Sequence, residues 1–202
     1  MVARTIEPPA ASPATLERPR RRFSADDYDR IIAAGIFEED EPVELCDGEV
    51  VYMAPIGAAY SASVDRGNAF FTPRTAGKAI VRVQSSFRLN DWWQPEPDLL
   101  LLRYRDDFYH EALPRVEDVL LLIEVADSSL LCDRERKIPQ YGKDGIGESW
   151  LVDLANERLL VYRTPLDGRY SETRSLGRGA PIAPLAFPEL TLTLDDLIGP
   201  KA

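Results

Sequence analysis

The chain carries two nearly unbroken aliphatic runs, Leu99 to Leu102 and Val119 to Val125, each set off by polar residues. Runs this short and this apolar read as buried strands. Asp98 opens the first and Glu124 lies near the end of the second. Upstream, RRFSADDYDRIIAAGIF has the pattern of an amphipathic helix. Ser24 supplies the N-cap, Asp26 and Asp27 favour the first turn, Tyr28, Ile31 and Ile32 form an apolar face, and Gly35 closes it. In EPVELCDGEVVYMAP, Asp47-Gly48 predicts a tight turn between strands Val43 to Cys46 and Glu49 to Met53.

A second helix is predicted from Ala59 to about Gly77, ended early or kinked by Pro73, and KAIVRVQSSFRLN then reads as one or two strands. A third helix, from about Leu131 to Lys143, carries Pro139 inside it, which predicts a kink. ESWLVDLANERLLVYRT predicts a second hairpin with Asn156 in its turn, and PELTLTLDDLIGP a short closing element. Residues 1–19 are rich in Pro, Ala and Ser with no apolar period, which predicts a disordered leader and leaves residues 20–202 as one domain. The element order predicts an α/β or α+β fold, with a mixed central sheet flanked by helices, an N-terminal helix and hairpins.

Composition narrows the chemistry. At 202 residues the chain is long enough for one domain with a sizeable core. No apolar run approaches the roughly 20 residues of a transmembrane helix, and the N-terminal stretch lacks the apolar centre of a secretory signal. The expectation is a soluble, cytoplasmic protein with no membrane partner. Cys46 and Cys132 are too few for a disulfide framework and read as reduced, mostly buried thiols. His110, the only histidine, sits in a polar loop, which excludes His-rich zinc sites; no nucleophile elbow or flanking cysteine motif supports a triad through it. Hydrolytic chemistry is left to carboxylates, lysine and a hard divalent cation.

A carboxylate at the end of a buried strand is costly unless it is protonated, paired or bound to a cation. Asp98 and Glu124 therefore suggest a hard-oxygen site of the kind Mg2+ prefers, with Lys137 as the electrophilic partner. Asp133, Lys137 and Tyr141 fall at i, i+4 and i+8, on one helix face, from which Lys137 can reach over the strand end. By spacing alone, Asp133 and Lys137 fit a surface ion pair equally well. A net charge of -10 argues against a generally basic nucleic-acid surface. The basic candidates for one face are Arg18, Arg20, Arg21 and Arg22, then Arg82 and Arg88, then Arg134, Arg136 and Lys143. Trp92 and Trp93 read as packing or a dimer contact ahead of base stacking, and Trp150 as core.

Pro97-Asp98, Glu124-Val125 and DRERKIPQYGKDGIGESWLVD from Asp133 to Asp153 resemble the Uma-type restriction endonucleases of the PD-(D/E)XK nuclease superfamily. ELCDGEVVYMAP, from Glu44 to Pro55, resembles that family's first hairpin, so the similarity spans roughly Phe23 to Leu197. The resemblance implies a restriction-endonuclease-like core acting on DNA. In it Asp98 and Glu124 bind Mg2+ or Mn2+, the Val125 carbonyl is an additional candidate ligand, Glu44 completes the acidic cluster, and a homodimer is plausible. It also implies that Lys137 replaces the lysine expected two positions after Glu124, where this chain has Ala126. Where relatives commonly show a histidine, GAAYSAS has Tyr60, which can hydrogen-bond a phosphate but is no base at neutral pH. Tyr60, Gln84 and Arg134 are the candidate substrate contacts; Gln84 reads equally as an ordinary polar strand residue. Two other functions suit the same carboxylates: a nuclease scaffold that has lost turnover and serves binding or assembly, and a phosphatase of small substrates, which lacks a phosphate-cradling glycine loop.

Overall fold

The computed structural model describes residues 20–38 and 40–201. The expected leader over residues 1–19 lies outside them. Helix α1 (Ala25–Ala33) begins at Ser24 with a reciprocal capping box. Ser24 Oγ accepts from the Asp27 amide at 3.1 Å, and Asp27 Oδ2 accepts from the Ser24 amide at 3.3 Å. The helix buries Ala25 and Tyr28 against Leu45, but Ile32, expected on the apolar face, is exposed. The patch beneath α1, completed by Phe23, Phe37 and Val50, ends short of it.

Strands β1 (Val43–Cys46) and β2 (Glu49–Tyr52) form the predicted hairpin. Both turn residues are left-handed, with φ of 54° at Asp47 and 75° at Gly48, as a two-residue type I′ turn requires. Helix α2 (Ala58–Thr75) is not ended early by Pro73 but continues to Thr75. Pro73 falls in the last turn, where it forfeits one helical bond, to the Ala69 carbonyl, with only two helical residues left beyond it. Arg74 Nη1 and Thr75 Oγ1 donate to the Phe70 and Phe71 carbonyls there, at 2.9 and 3.0 Å.

The main sheet takes its six strands in chain order: β3 (Ala79–Val83), β4 (Leu99–Arg103), β5 (Val119–Ala126), β6 (Glu148–Asp153), β7 (Arg158–Leu166) and β8 (Arg169–Leu176). Only β5 and β6 pair in parallel. A parallel pair needs a crossover, supplied here by α3 (Leu130–Cys132), a π-helical turn (Asp133–Lys137) and α4 (Ile138–Asp144). The irregularity expected at Pro139 is displaced to that π turn, where the Ile138 amide donates to the Asp133 carbonyl. A proline cannot bond the carbonyl four residues before it, and widening the preceding turn accommodates the loss.

Alternation along the strands splits the core in two. Leu99, Leu101, Leu121, Ile123 and Val125 pack under α2 and the C-terminal helix α5 (Leu194–Ile198), against Val64, Phe71, Leu194 and Leu197. Leu100, Leu102 and Leu122 face the other way, toward Phe87, Trp93 and the α4 residues Ile138 and Tyr141. Gly67 lets α2 lie directly on Leu99, which a Cβ at that position would strike. This is a mixed sheet flanked by helices, as predicted.

Trp93 and Trp150 are buried, whereas Trp92 is half-exposed with the Arg22 guanidinium 4.7 Å from its ring. Cys46 is buried but Cys132, expected to be buried, is exposed, because it borders an open cavity rather than a packed neighbour. No described helix is long and apolar enough to cross a membrane.

Candidate active site

The register of β4 on β5, Leu99 opposite Ile123 and Leu100 opposite Leu122, sets Asp98 beside Glu124 when continued by one residue. The Val125 amide donates to Asp98 Oδ2 at 2.6 Å. The Tyr60 hydroxyl, from α2, donates to Asp98 Oδ1 and accepts from Gln84 Nε2 at 3.0 Å. Both oxygens of Asp98 are therefore held by donors from different elements.

Glu124 points to the opposite side of β5 from Val125, toward the crossover helix. There its Oε1 accepts from the Tyr141 hydroxyl at 2.6 Å and lies 3.5 Å from Lys137 Nζ. Lys137 Nζ is also 2.9 Å from Glu44 Oε1 and 3.9 Å from Asp133 Oδ1. The hairpin delivers Glu44. An isolated bridge ties Leu45 to Gln94, and the Glu96 amide donates to Glu44 Oε2 at 3.1 Å. The π turn delivers Lys137 and buries Asp133 beside it. Asp133 Oδ2 accepts from Ser129 Oγ at 2.5 Å.

Asp98, Glu124, Glu44, Asp133 and Lys137 are all more than nine-tenths buried, so charge in this site is costly. Loss of solvent pushes the Asp98 carboxyl up to about 6, against the pull of the Tyr60 and Val125 donors. Burial drives Glu124 well above the usual carboxylate range, with Lys137 opposing it. Burial alone would depress Lys137, but Glu124, Glu44 and Asp133 outweigh it and hold the ammonium well above its ordinary value. Burial, with Glu124 adding to it, raises Tyr141, which keeps its proton and stays a donor.

A cavity of about 250 Å3 opens onto this cluster, lined by Glu44, Tyr60, Asp98, Glu124, Asp133 and Lys137 among others. A second, of about 530 Å3, adjoins it at Tyr60 and Asp98 and is walled by Pro42, Met53, Pro55 and Ile56. Four buried carboxylates against one buried lysine is a donor set that fits a hard divalent cation, because Lys137 can offset only one of the charges they would carry when ionised. Among the described residues, though, no three His, Cys, Asp or Glu side chains stand already arranged to hold an ion. Lys137 sits between Glu44 and Glu124, and Tyr60 holds Asp98.

The structure thus brings Glu44, Asp98, Glu124, Lys137, Tyr60 and Gln84 together. It does not bring Arg134, which is exposed and pairs with its neighbour Glu135 at 3.4 Å. Arg136 lines the cavity instead. Of the other basic candidates, Arg88 pairs with Asp26 and Asp29, Arg22 with Asp47 and Arg20 with Glu49, while Arg18 lies outside the described residues. Tyr141 was placed on the Lys137 face by spacing, but its bond to Glu124 was not legible, since nothing local in the sequence links an α4 hydroxyl to a β5 carboxylate.

The family model Uma2, described as "Putative restriction endonuclease", matches residues 25–195. A solved structure from Anabaena variabilis ATCC 29413, titled as a putative nuclease belonging to DUF820, superposes with a TM-score of 0.65 at 20% identity. The match covers 87% of this chain and 97% of that one. No curated protein matches.

Proposed function

Because the chain belongs to the Uma2 restriction-endonuclease family, we propose that it is a divalent-metal-dependent endonuclease that hydrolyses DNA phosphodiester bonds by attack of water. The observation that carries this reading is the burial of Lys137 among Glu44, Glu124 and Asp133 at the mouth of one cavity, with Asp98 beside them. Asp98 and Glu124 would hold the ion, with the Val125 carbonyl as a further donor and Glu44 as accessory acid. When bound, Mg2+ or Mn2+ would polarise the phosphate and lower the pKa of a water. Lys137 would place its ammonium against the negative charge developing on the phosphate oxygens, in a site dry enough for that charge to matter. Tyr141 fixes the Glu124 carboxylate by hydrogen bond, and Arg136 at the cavity wall would face an approaching phosphate. A homodimer would let two such sites address two strands.

Purified protein should nick supercoiled plasmid in Mg2+ or Mn2+ and be silent in excess chelator. Glu124→Gln and Asp98→Asn should each reduce nicking by at least about a hundredfold, the size of effect expected for removing a principal electrostatic group. Equal nicking by either variant would end this assignment. The missing preset ligand trio favours a second reading, a nuclease fold kept for binding without turnover. Calorimetric Mn2+ titration separates the two, because an inert scaffold takes up no Mn2+ at millimolar concentration.

A further inference from the structure

Gln84 follows β3 with φ of 43°, a left-handed conformation rare for a non-glycine residue. Its amide donates to the Asp98 carbonyl at 3.1 Å, so the strained residue is tied to the backbone of the very residue whose side chain stands at the cavity. That conformation aims Gln84 Nε2 at the Tyr60 hydroxyl, 3.0 Å away, and the hydroxyl in turn donates to Asp98 Oδ1. On the far side the Val125 amide holds Oδ2. A tyrosine hydroxyl has one proton, and its acceptance from Gln84 leaves that proton no better target than the carboxylate.

We propose that Gln84 and Tyr60 are positioning residues for the metal ligand Asp98: the strained amide orients the hydroxyl, and the hydroxyl fixes the carboxylate plane so that each oxygen keeps one lone pair free for a cation. This rests on the endonuclease reading of the same site. Gln84 acts only through Tyr60, and Tyr60 only through Asp98. Neither is a catalytic residue. Hydrogen-bond partners of ligating carboxylates typically contribute 10- to 100-fold in metal affinity, enough to decide whether the site fills at cellular concentrations.

The test is Mn2+ affinity by calorimetry on the full chain, read beside the thermal midpoint. Tyr60→Phe keeps the ring that packs on the core and should weaken Mn2+ binding by about 10- to 100-fold. Gln84→Gly removes the amide and relieves the left-handed strain, so it should weaken Mn2+ by a smaller factor while raising the midpoint. A purely structural role moves both quantities in one direction. The double variant should bind no more weakly than Tyr60→Phe alone, because the two act in series. Unchanged or tighter binding by Tyr60→Phe overturns the positioning role and leaves the endonuclease reading standing. A parent protein that takes up no Mn2+ overturns both.

Discussion

Lys137 Nζ lies 2.9 Å from Glu44 Oε1, so an ammonium from the crossover helix closes on a carboxylate from the N-terminal hairpin across the end of β5. Both side chains are more than nine-tenths buried. The pair ties three elements into one site, and its energetics can be measured apart from any chemistry.

Removing one partner of a buried ion pair costs about 3–5 kcal/mol, because the other charge is left uncompensated. Lys137→Met should therefore be destabilised by roughly that amount in urea melts and should lose plasmid nicking. Adding Glu44→Gln to it removes one stranded carboxylate and should return part of the stability without returning the nicking. If Lys137→Met were as stable as the parent, the buried pairing would be wrong.

Arg163 and Glu148, which line neither cavity, give a control outside the candidate site. Arg163 Nε and Nη2 lie 2.8 and 2.7 Å from Glu148 Oε1, Trp150 Nε1 donates to the same oxygen at 2.8 Å, and the Leu185 amide to Oε2 at 2.6 Å. Arg163→Leu should cost about 3–5 kcal/mol in urea melts. Its Mn2+ affinity below the unfolding transition should stay at the parent value, and a drop there would show coupling between the two sites.

Arg178 fastens the C-terminus in a way that pH should release. Its Nε and Nη2 donate to the two Glu157 oxygens at 2.8 and 2.9 Å, and its Nη1 to the Gly199 carbonyl at 2.7 Å and to Asp195. The hydrogen bonds from Arg178 hold the Glu157 carboxyl below its ordinary 4.5. A carboxylate depressed in the folded state contributes stability that is present above its unfolded pKa and is lost as pH falls through the folded value. Protection of the α5 amides, taken relative to the intrinsic exchange rate, should thus fall as pH drops below about 4.5. Arg178→Ala should show the reduced protection already at pH 7.

The two thiols differ in reach. Burial raises Cys46, and Glu44 adds to it, so little thiolate forms there; Cys132 is exposed on α3. Iodoacetamide on the native protein should label Cys132 while Cys46 stays protected until unfolding, which peptide mass mapping reads directly. Equal labelling would mean that the hairpin opens readily. Because Cys132 also lines the cavity, a bulky maleimide on it should block nicking.

The elements themselves were largely written in local patterns. The Asp47-Gly48 turn, the Ser24 cap and the aliphatic runs of β4 and β5 each need only neighbouring residues to act, so the mixed sheet and its helices followed from the sequence. So did the set of chemical groups: with one histidine and two cysteines in the chain, only carboxylates and lysine remained. Local pattern failed where no packing partner met it in space, as with Ile32 left uncovered beyond the α1 patch and Cys132 left exposed at the cavity. The π turn is a further case: Asp133 and Lys137 reach the site as their spacing predicts, but Arg136, not Arg134, lines the cavity.

What only the tertiary structure decided is how those groups meet. The continued register of β4 on β5 put Asp98 beside Glu124, the hairpin bridge at Leu45 and Gln94 brought in Glu44, and α2 set the Tyr60 hydroxyl between Gln84 and Asp98. Each depends on residues far apart in the chain. Side-chain burial, and with it the raised carboxyl of Asp98 and the retained charge of Lys137, arises only when those segments pack together and exclude water.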